Sequence, residues 1–403
     1  MSETSFARSD LRWAILGLIS VSHVIGAAAQ YGINTLAPFY QDELHLSRAQ
    51  VGLFFSAFYL AMTASSFGAG WLADRLGVGR TTLTGHVFVG LCTAAAAAAP
   101  SFTWAFVSFF LAGLGYSFLN PSSTKGVMLW FPREERATAM GLKQTGVPAG
   151  GVVAALLAPP MVLWFGWRAA LAALGIINLL CGFVFSRLWR DPPDEPQPAR
   201  IQRTRAQALE TLDIWSFLPA SFGTAVFLIG QMSLITYLPL FLKESMGAPA
   251  YWASQALAIT QAGAMAGRIG WGMASDRLFG GRRKIVLVII GVLSAALMVA
   301  LSVLPSVSSL ALLVAIVFLA GLCLVGYQGV SYALIGELAG KTRTGAAMGI
   351  MITINAAAAT VGTPIFGYIV DATGSYTIAW QALAAAIGLG SAALVFFLTE
   401  PPR

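Results

Sequence analysis

Three basic side chains lie inside long apolar stretches and have the clearest chemical potential in this sequence. Arg268 stands eight residues from the nearest charged turn, and Lys125 and Lys143 stand eight and seven residues from theirs. At about 1.5 Å per helical residue, each would lie roughly 10–12 Å inside the end of its stretch. A charged side chain at such depth in a membrane costs at least about 2.5–3.5 kcal/mol unless it is paired or faces water. These positions are therefore candidates for a functional site.

The sequence offers these cations no acidic partner at the same depth. The carboxylates of Asp74, Asp276, Glu337 and Asp371 stand near the ends of apolar stretches, and none stands in the middle of one. An anion from outside the protein would supply the missing negative charge, and arginine can bind a carboxylate through two parallel hydrogen bonds where lysine cannot. The alternative is that each long side chain reaches back toward the interface. The pattern favours binding of a small anion.

Further polar residues within the apolar stretches could complete such a site. They are Gln30, Tyr31, Gln144, Gln231, Gln261, Tyr327, Gln328 and Asn355. Each is equally explained by a hydrogen bond between helices. His23 and His86 are open to two interpretations, as proton carriers or as structural residues.

The elements that position these residues follow from composition. Of the 403 residues 57% are hydrophobic and 10% are charged, which is typical of a membrane protein. Crossing a bilayer takes roughly 20 apolar residues, and twelve such spans are predicted. They cover 13–39, 49–73, 80–99, 103–131, 138–164, 168–188, 214–242, 251–275, 284–304, 308–335, 345–370 and 376–398. A barrel would instead show alternating segments of about 10 residues, so the expected fold is an all-α membrane protein.

The net charge of +7 reflects basic loops on one side of the membrane and does not indicate nucleic-acid binding. Outside the spans, only Arg48, Arg168 and Lys243 fall in loops on one side, and all other basic residues fall on the opposite side. Because basic loops stay in the cytoplasm, we expect a multi-pass protein of the cell inner (plasma) membrane with both termini cytoplasmic. No nucleic-acid partner is expected.

The chain contains an internal repeat. The segment from Gly70 to Asp74 at the end of span 2 recurs as Gly272 to Asp276 at the end of span 8, with the same spacing. Two halves with parallel signals are typical of duplicated transporters, whose substrate site lies between the halves near the midplane.

Domain boundaries follow from this repeat and from the one substantial hydrophilic segment. We predict an N-terminal six-helix bundle over 1–188, a cytoplasmic linker over 189–213 that is rich in proline and charge, and a C-terminal six-helix bundle over 214–403.

These features together resemble the major facilitator superfamily over the whole chain. The resemblance rests on the twelve spans, the central loop and the Gly-x-x-x-Asp-Arg-x-Gly pattern from Gly70 to Gly77. The usual basic residues after that pattern are displaced to Arg80, and Phe279 shifts the glycine of the second copy to Gly280. The resemblance implies the major facilitator fold, two pseudo-symmetric six-helix bundles that function as a monomer.

The resemblance also implies a cytoplasmic gate. In relatives, the aspartate of this loop caps a helix of the opposite half and pairs with arginine. By that analogy the gating residues are Asp74, Arg75, Arg133, Asp276 and Arg277. The alternative is that these residues only fix the turn and the topology.

A narrower resemblance concerns organic-anion carriers. The position of Arg268 is similar to that of an arginine in the oxalate/formate antiporter and monocarboxylate transporter groups, and the segment from Asp371 to Tyr376 looks like their turn between spans 11 and 12. The span 11 lysine of oxalate carriers has no counterpart here, since only Asn355 stands at that depth. Oxalate itself is therefore not the expected substrate.

The expected function is secondary active or facilitative transport of a small organic anion, a mono- or dicarboxylate, by alternating access around a cationic central site. Antiport, symport and uniport remain open, with a proton or a counter-anion as the coupled ion. The alternative is a proton-driven multidrug or metabolite exporter, which would need a buried carboxylate that the spans lack. No enzymatic activity, metal or cofactor is expected, because no H-E-x-x-H or phosphate-binding glycine motif occurs.

Overall fold

The computed structural model describes residues 3–131, 135–191, 214–304, 309–339 and 344–400, and all regular structure within them is helical. The helices are α1 (Glu3–Thr35), α2 (Ala37–Glu43), α3 (Arg48–Ala97), α4 (Phe102–Tyr116), α5 (Leu119–Trp130), α6 (Arg136–Leu188), α7 (Ile214–Glu244), α8 (Ala250–Arg277), α9 (Arg283–Ser302), α10 (Leu310–Ala320), a π turn (Gly321–Val325), α11 (Gln328–Ala339), α12 (Thr344–Thr373) and α13 (Tyr376–Phe397). The predicted all-α fold is confirmed.

Two glycines divide the two longest helices. Gly77 in α3 and Gly166 in α6 both have φ near 80°, a backbone region that favours glycine because it has no Cβ. Each break separates two predicted spans, so that α3 carries spans 2 and 3 and α6 carries spans 5 and 6. With these breaks, the described part of each predicted span lies on one helix or on consecutive helices, apart from a few residues at the span ends.

The helices have the length and composition of membrane spans. Among the described residues, eight helical stretches are long and apolar enough to cross a bilayer. The protein is therefore a multi-pass membrane protein.

The first compact unit comprises Met1–Leu44 and Ala57–Gln197. Within it, α1 packs along α6 at very short range, because a Cβ added at Gly150 would lie 2.4 Å from the carbonyl oxygen of Val24. Such small-residue contacts are typical of helix pairs in membranes. This contact fixes the face of α6 that carries Lys143.

The second compact unit comprises His45–Ser56 and Pro198–Arg403. Here α9 packs on α13 and α7 packs on α12, and α8 lies against the π turn. The first residues of α3 belong to this unit. Most of the predicted linker, residues 192–213, lies outside the described residues, and the predicted division into 1–188 and 214–403 stays a prediction.

Candidate functional site

Arg268 is held by a chain of neutral amides in the second unit. It is partly buried on α8, and its Nη2 donates to Oε1 of Gln328 on α11 at 2.7 Å. Nε2 of Gln328 donates in turn to Oε1 of Gln231 on α7 at 3.3 Å. The structure thus brings together three predicted site residues from three helices. Because the acceptor is an amide, this hydrogen bond orients the guanidinium without cancelling its charge.

A π turn precedes Gln328 and was not foreseen from the sequence. The backbone N–H of Gly326 donates to the carbonyl of Gly321 at 3.1 Å, a bond to the fifth residue back instead of the fourth. Single π turns inside α-helices occur frequently at functional sites. The glycines at each end of this turn were the available sequence signal, but glycine is too common in membrane helices to identify such a turn.

The helix that carries Arg268 touches this segment backbone to backbone. A Cβ added at Gly263 would lie 2.1 Å from the carbonyl oxygen of Phe318, and one added at Gly267 would lie 2.1 Å from that of Leu322. Only glycine fits at these two positions, four residues apart on one face of α8. The depth and rotation of the neighbouring Arg268 are fixed by this contact.

Gln261 lies on the same face of α8 as Arg268, two turns earlier. Its side chain is 1% exposed, and neither its amide oxygen nor its amide nitrogen has a hydrogen-bond partner among the described residues. A buried amide without partners is costly, about 1–3 kcal/mol. A bound polar ligand or water at this face would satisfy it.

The other predicted residues of the second unit make local hydrogen bonds around Thr224. The hydroxyl of Tyr327 donates to the carbonyl of Thr224 at 3.4 Å, and Nδ2 of Asn355 donates to the Thr224 hydroxyl at 3.3 Å. These contacts tie α12 and the residue just before α11 to α7. The structure therefore places Tyr327 and Asn355 in a packing cluster rather than in the amide chain of Arg268.

Lys143 lies in a cage of neutral oxygens in the first unit. Its side chain is fully buried, and Nζ donates to Oδ1 of Asn120 at 2.8 Å, to Oγ1 of Thr124 at 2.7 Å and to the Asn120 carbonyl at 3.4 Å. Three acceptors match the three protons of an ammonium group. None of them carries a negative charge, so these contacts hold the cation without neutralising it.

Lys125 is placed differently from Lys143. Its Nζ donates to the carbonyl of Ala73 at 2.8 Å, four residues before the break of α3 at Gly77. This contact places the Lys125 ammonium group beside the predicted gate loop.

The remaining site candidates of the first unit are buried on α1 or lie on α6. Gln30 and Tyr31 are 5% and 4% exposed, and Gln144 is partly buried.

His86 lies on α3 and was considered as a proton carrier. Its imidazole is hydrogen-bonded on both nitrogens, to the Ser22 hydroxyl at 2.7 Å and to Oδ1 of Asn178 at 3.0 Å, which indicates a structural role.

The predicted gate residues are only partly described. Asp276 forms an ion pair with Arg283, which also contacts Glu337 at 3.2 Å, so this cluster joins the ends of α8, α9 and α11. Arg75 and Arg277 are exposed at helix ends. Arg133 and the side chain of Asp74 lie outside the described residues.

A second charged cluster of the second unit joins Arg48, which was used only for topology in the sequence analysis, to Asp371 and Glu244. Asp371 accepts from the backbone N–H groups of Arg48 and Ala49 at 3.1 and 3.0 Å, which caps the start of α3. The guanidinium of Arg48 also contacts Asp371 at 3.2 Å and Glu244 at 2.8 Å. The residues come from three separate parts of the chain, so their proximity had no local sequence signal.

Known proteins that resemble this chain in sequence and in structure are membrane transporters. The family model described as Major Facilitator Superfamily matches residues 19–305 and 262–403. The chain is 27% identical to the probable sulfoacetate transporter SauU of Cupriavidus necator, over 96% of this chain and 94% of that protein, and 24% identical to the hexuronate transporter of Bacillus subtilis, over 95% and 94%. A bacterial homologue of the human lysosomal transporter Spinster, solved in an inward-facing and unoccupied conformation, superimposes with a TM-score of 0.75 at 17% identity over 96% of this chain and 94% of that one. The chain therefore belongs to the Major Facilitator Superfamily and is a transporter rather than an enzyme.

Proposed function

We propose that this protein transports a small organic anion, a mono- or dicarboxylate, by alternating access. The observation that carries the proposal is the guanidinium of Arg268, held at 2.7 Å by the neutral amide of Gln328 on a helix of the membrane domain. The Gln328 amide orients the guanidinium but contributes no negative charge of its own, and a substrate anion would add an attractive charge. A carboxylate fits because it can accept two parallel hydrogen bonds from a guanidinium.

Two further facts support an anionic substrate. Gln261 presents an unsatisfied buried amide on the face of α8 that carries Arg268, which gives a polar substrate a second point of attachment. The relatives are named for sulfoacetate and hexuronate, and both of these compounds are small hydrophilic carboxylates. In the first unit, Lys143 adds a buried cation with neutral partners.

The setting of the transporter is part of the proposal. The positive-inside pattern supports an inner-membrane protein with cytoplasmic termini. The internal repeat and the central hydrophilic segment support two bundles over 1–188 and 214–403. The superfamily resemblance supports a monomeric state and gating by Asp276 with its counterpart Asp74. Antiport, symport and uniport are separated by the experiment below.

The test is uptake of radiolabelled anions into proteoliposomes that contain the purified protein. The panel is sulfoacetate, a hexuronate, lactate, succinate and oxalate, each with and without internal unlabelled anion and with and without a pH gradient. The variant Arg268→Gln removes the charge and keeps an amide. Arg187→Gln, at an exposed position near the end of α6, is the matched control for the loss of one arginine.

We expect uptake of at least one carboxylate, a loss of about 100-fold or more in Arg268→Gln, and no change in Arg187→Gln. A buried charged hydrogen bond to substrate is worth about 2–5 kcal/mol, which sets that magnitude. Stimulation by internal anion would identify exchange, and stimulation by a proton gradient would identify symport. If a folded Arg268→Gln protein transports normally, Arg268 is structural, and export of apolar compounds becomes the better hypothesis.

A further inference from the structure

Trp271 lies one helical turn after Arg268 on α8 and contacts the π turn directly. Its indole Nε1 donates to the carbonyl oxygen of Leu322 at 3.0 Å. Leu322 is the second residue of the π turn Gly321–Val325, and Gln328 begins the next helix six residues later. Trp271 therefore binds the segment that leads into Gln328, and Gln328 is the residue that accepts a hydrogen bond from Arg268.

The backbone of the π turn explains why this carbonyl accepts a side-chain donor. In an α-helix, the Leu322 carbonyl would accept from the N–H of Gly326, four residues on. Here the Gly326 N–H donates to Gly321 instead, at 3.1 Å. The Leu322 carbonyl is thereby released from the α-helical bond with Gly326 and instead accepts a hydrogen bond from the indole of Trp271.

The π turn also decides which residue faces Arg268. An α-helix advances about 100° per residue, so one extra residue in a turn rotates every later side chain by about that angle. Without the π turn, Gln328 would point about 100° away from its present direction. The contact of 2.7 Å between Gln328 and Arg268 thus depends on the π turn being kept.

We propose that Trp271 is a positioning residue for the anion site. Its indole N–H holds the π turn in place, and the π turn directs the amide of Gln328 onto the Arg268 guanidinium. This inference rests on the proposed function, because it assigns Trp271 a role in orienting the arginine that binds the substrate.

Close packing holds the π turn against α8. A Cβ added at Gly326, directly after the π turn, would lie 2.7 Å from Cα of Gly267 on α8. The two backbones therefore approach closely, and Trp271 adds a side-chain hydrogen bond across this contact.

The test is a double-mutant cycle measured by uptake into proteoliposomes, using the carboxylate that the wild type carries. Trp271→Phe keeps an aromatic ring and removes the N–H donor. Trp104→Phe is the matched control, since the Trp104 indole also donates to a backbone carbonyl, that of Ala95 at 2.8 Å, but in the first unit. The cycle is completed by Gln328→Ala and by the double variant Trp271→Phe with Gln328→Ala.

We expect Trp271→Phe to raise the KM about tenfold with the maximal rate within twofold of wild type, as for the loss of one oriented hydrogen bond. Trp104→Phe should leave both values unchanged. In the Gln328→Ala background, Trp271→Phe should have no further effect, because residues that act through one another are not additive. Independent, multiplying effects on the KM, or an unchanged KM in Trp271→Phe, would overturn the inference.

The test also covers a variant that fails to fold and a wild type that carries no anion. If Trp271→Phe does not fold, benzothienylalanine introduced at position 271 keeps the shape of the indole and removes only the N–H, and the same tenfold rise in KM is expected from it. A normal KM with that residue would refute the role of the hydrogen bond. A wild-type protein that takes up no anion under any of the gradients refutes the proposed function and this inference with it, whereas normal uptake with an unaffected KM in the variants refutes the inference alone.

Discussion

Replacing Gly267 by alanine gives a sharp test of the contact that positions Arg268. The added Cβ would lie 2.1 Å from the carbonyl oxygen of Leu322, about 1.3 Å short of the 3.4 Å at which ordinary contacts begin. The obstacle is backbone, so no side chain can rotate away, and α8 or the π turn must move by about 1 Å. Overpacking of this kind costs typically about 1–3 kcal/mol.

Gly270→Ala on the same helix is the matched control. No atom lies within 4 Å of a Cβ added there. The substitution meets open space, and replacing an interior helical glycine by alanine stabilises a helix by roughly 0.5–1 kcal/mol. The same chemical change is thus expected to have opposite signs at two positions three residues apart.

The assay is thermal unfolding of the purified proteins in detergent, followed by anion exchange. Gly267→Ala should unfold at lower temperature than wild type and lose exchange, because Arg268 moves with the helix. Gly270→Ala should unfold at the same or a higher temperature and exchange normally. Equal stability of the two variants would show that the close approach of α8 to the π turn does not exist in the protein.

Two further predictions concern charged residues at helix ends. Asp371→Ala removes the acceptor for two N–H groups at the start of α3 and should destabilise the protein by about 1 kcal/mol, which is measurable as a lower unfolding temperature than that of wild type. The pKa of Glu43 is lowered by hydrogen bonds from Trp167 and Arg168, so its contribution to stability is present above the ordinary pKa of glutamate, about 4.5, and is lost as the pH falls toward the lower folded pKa. Unfolding temperatures of wild type and Glu43→Gln should therefore differ at pH 7 and converge as the pH falls below about 4.5, and a difference that stays constant as the pH falls would contradict the assignment.

The spans were predictable because hydropathy over a window of about 20 residues measures the property that places a helix in a membrane. The breaks at Gly77 and Gly166 were also foreseen as loops, since charge or glycine interrupts the apolar run there. In contrast, Gly321–Val325 reads as ordinary apolar helix. A π turn changes only the hydrogen-bond register, which hydropathy does not record.

The sequence identifies polar residues inside the spans, but it does not show which of them contact one another. Arg268, Gln328 and Gln231 were all candidates, but the chain that links them depends on the rotation of three helices. The polar oxygens around Lys143 likewise depend on the rotation of α5 against α6. One sequence does not contain this information, because side chains a full helix apart become neighbours only through packing.

The neutral amide that accepts from Arg268 bears on the proposed substrate. An amide such as that of Gln328 accepts a hydrogen bond and fixes the direction of the guanidinium, but it adds no negative charge of its own. A substrate carboxylate would add a negative charge and two parallel hydrogen bonds, whereas a neutral or cationic compound would not. Under the proposed function we therefore expect anions to be preferred over other small polar molecules.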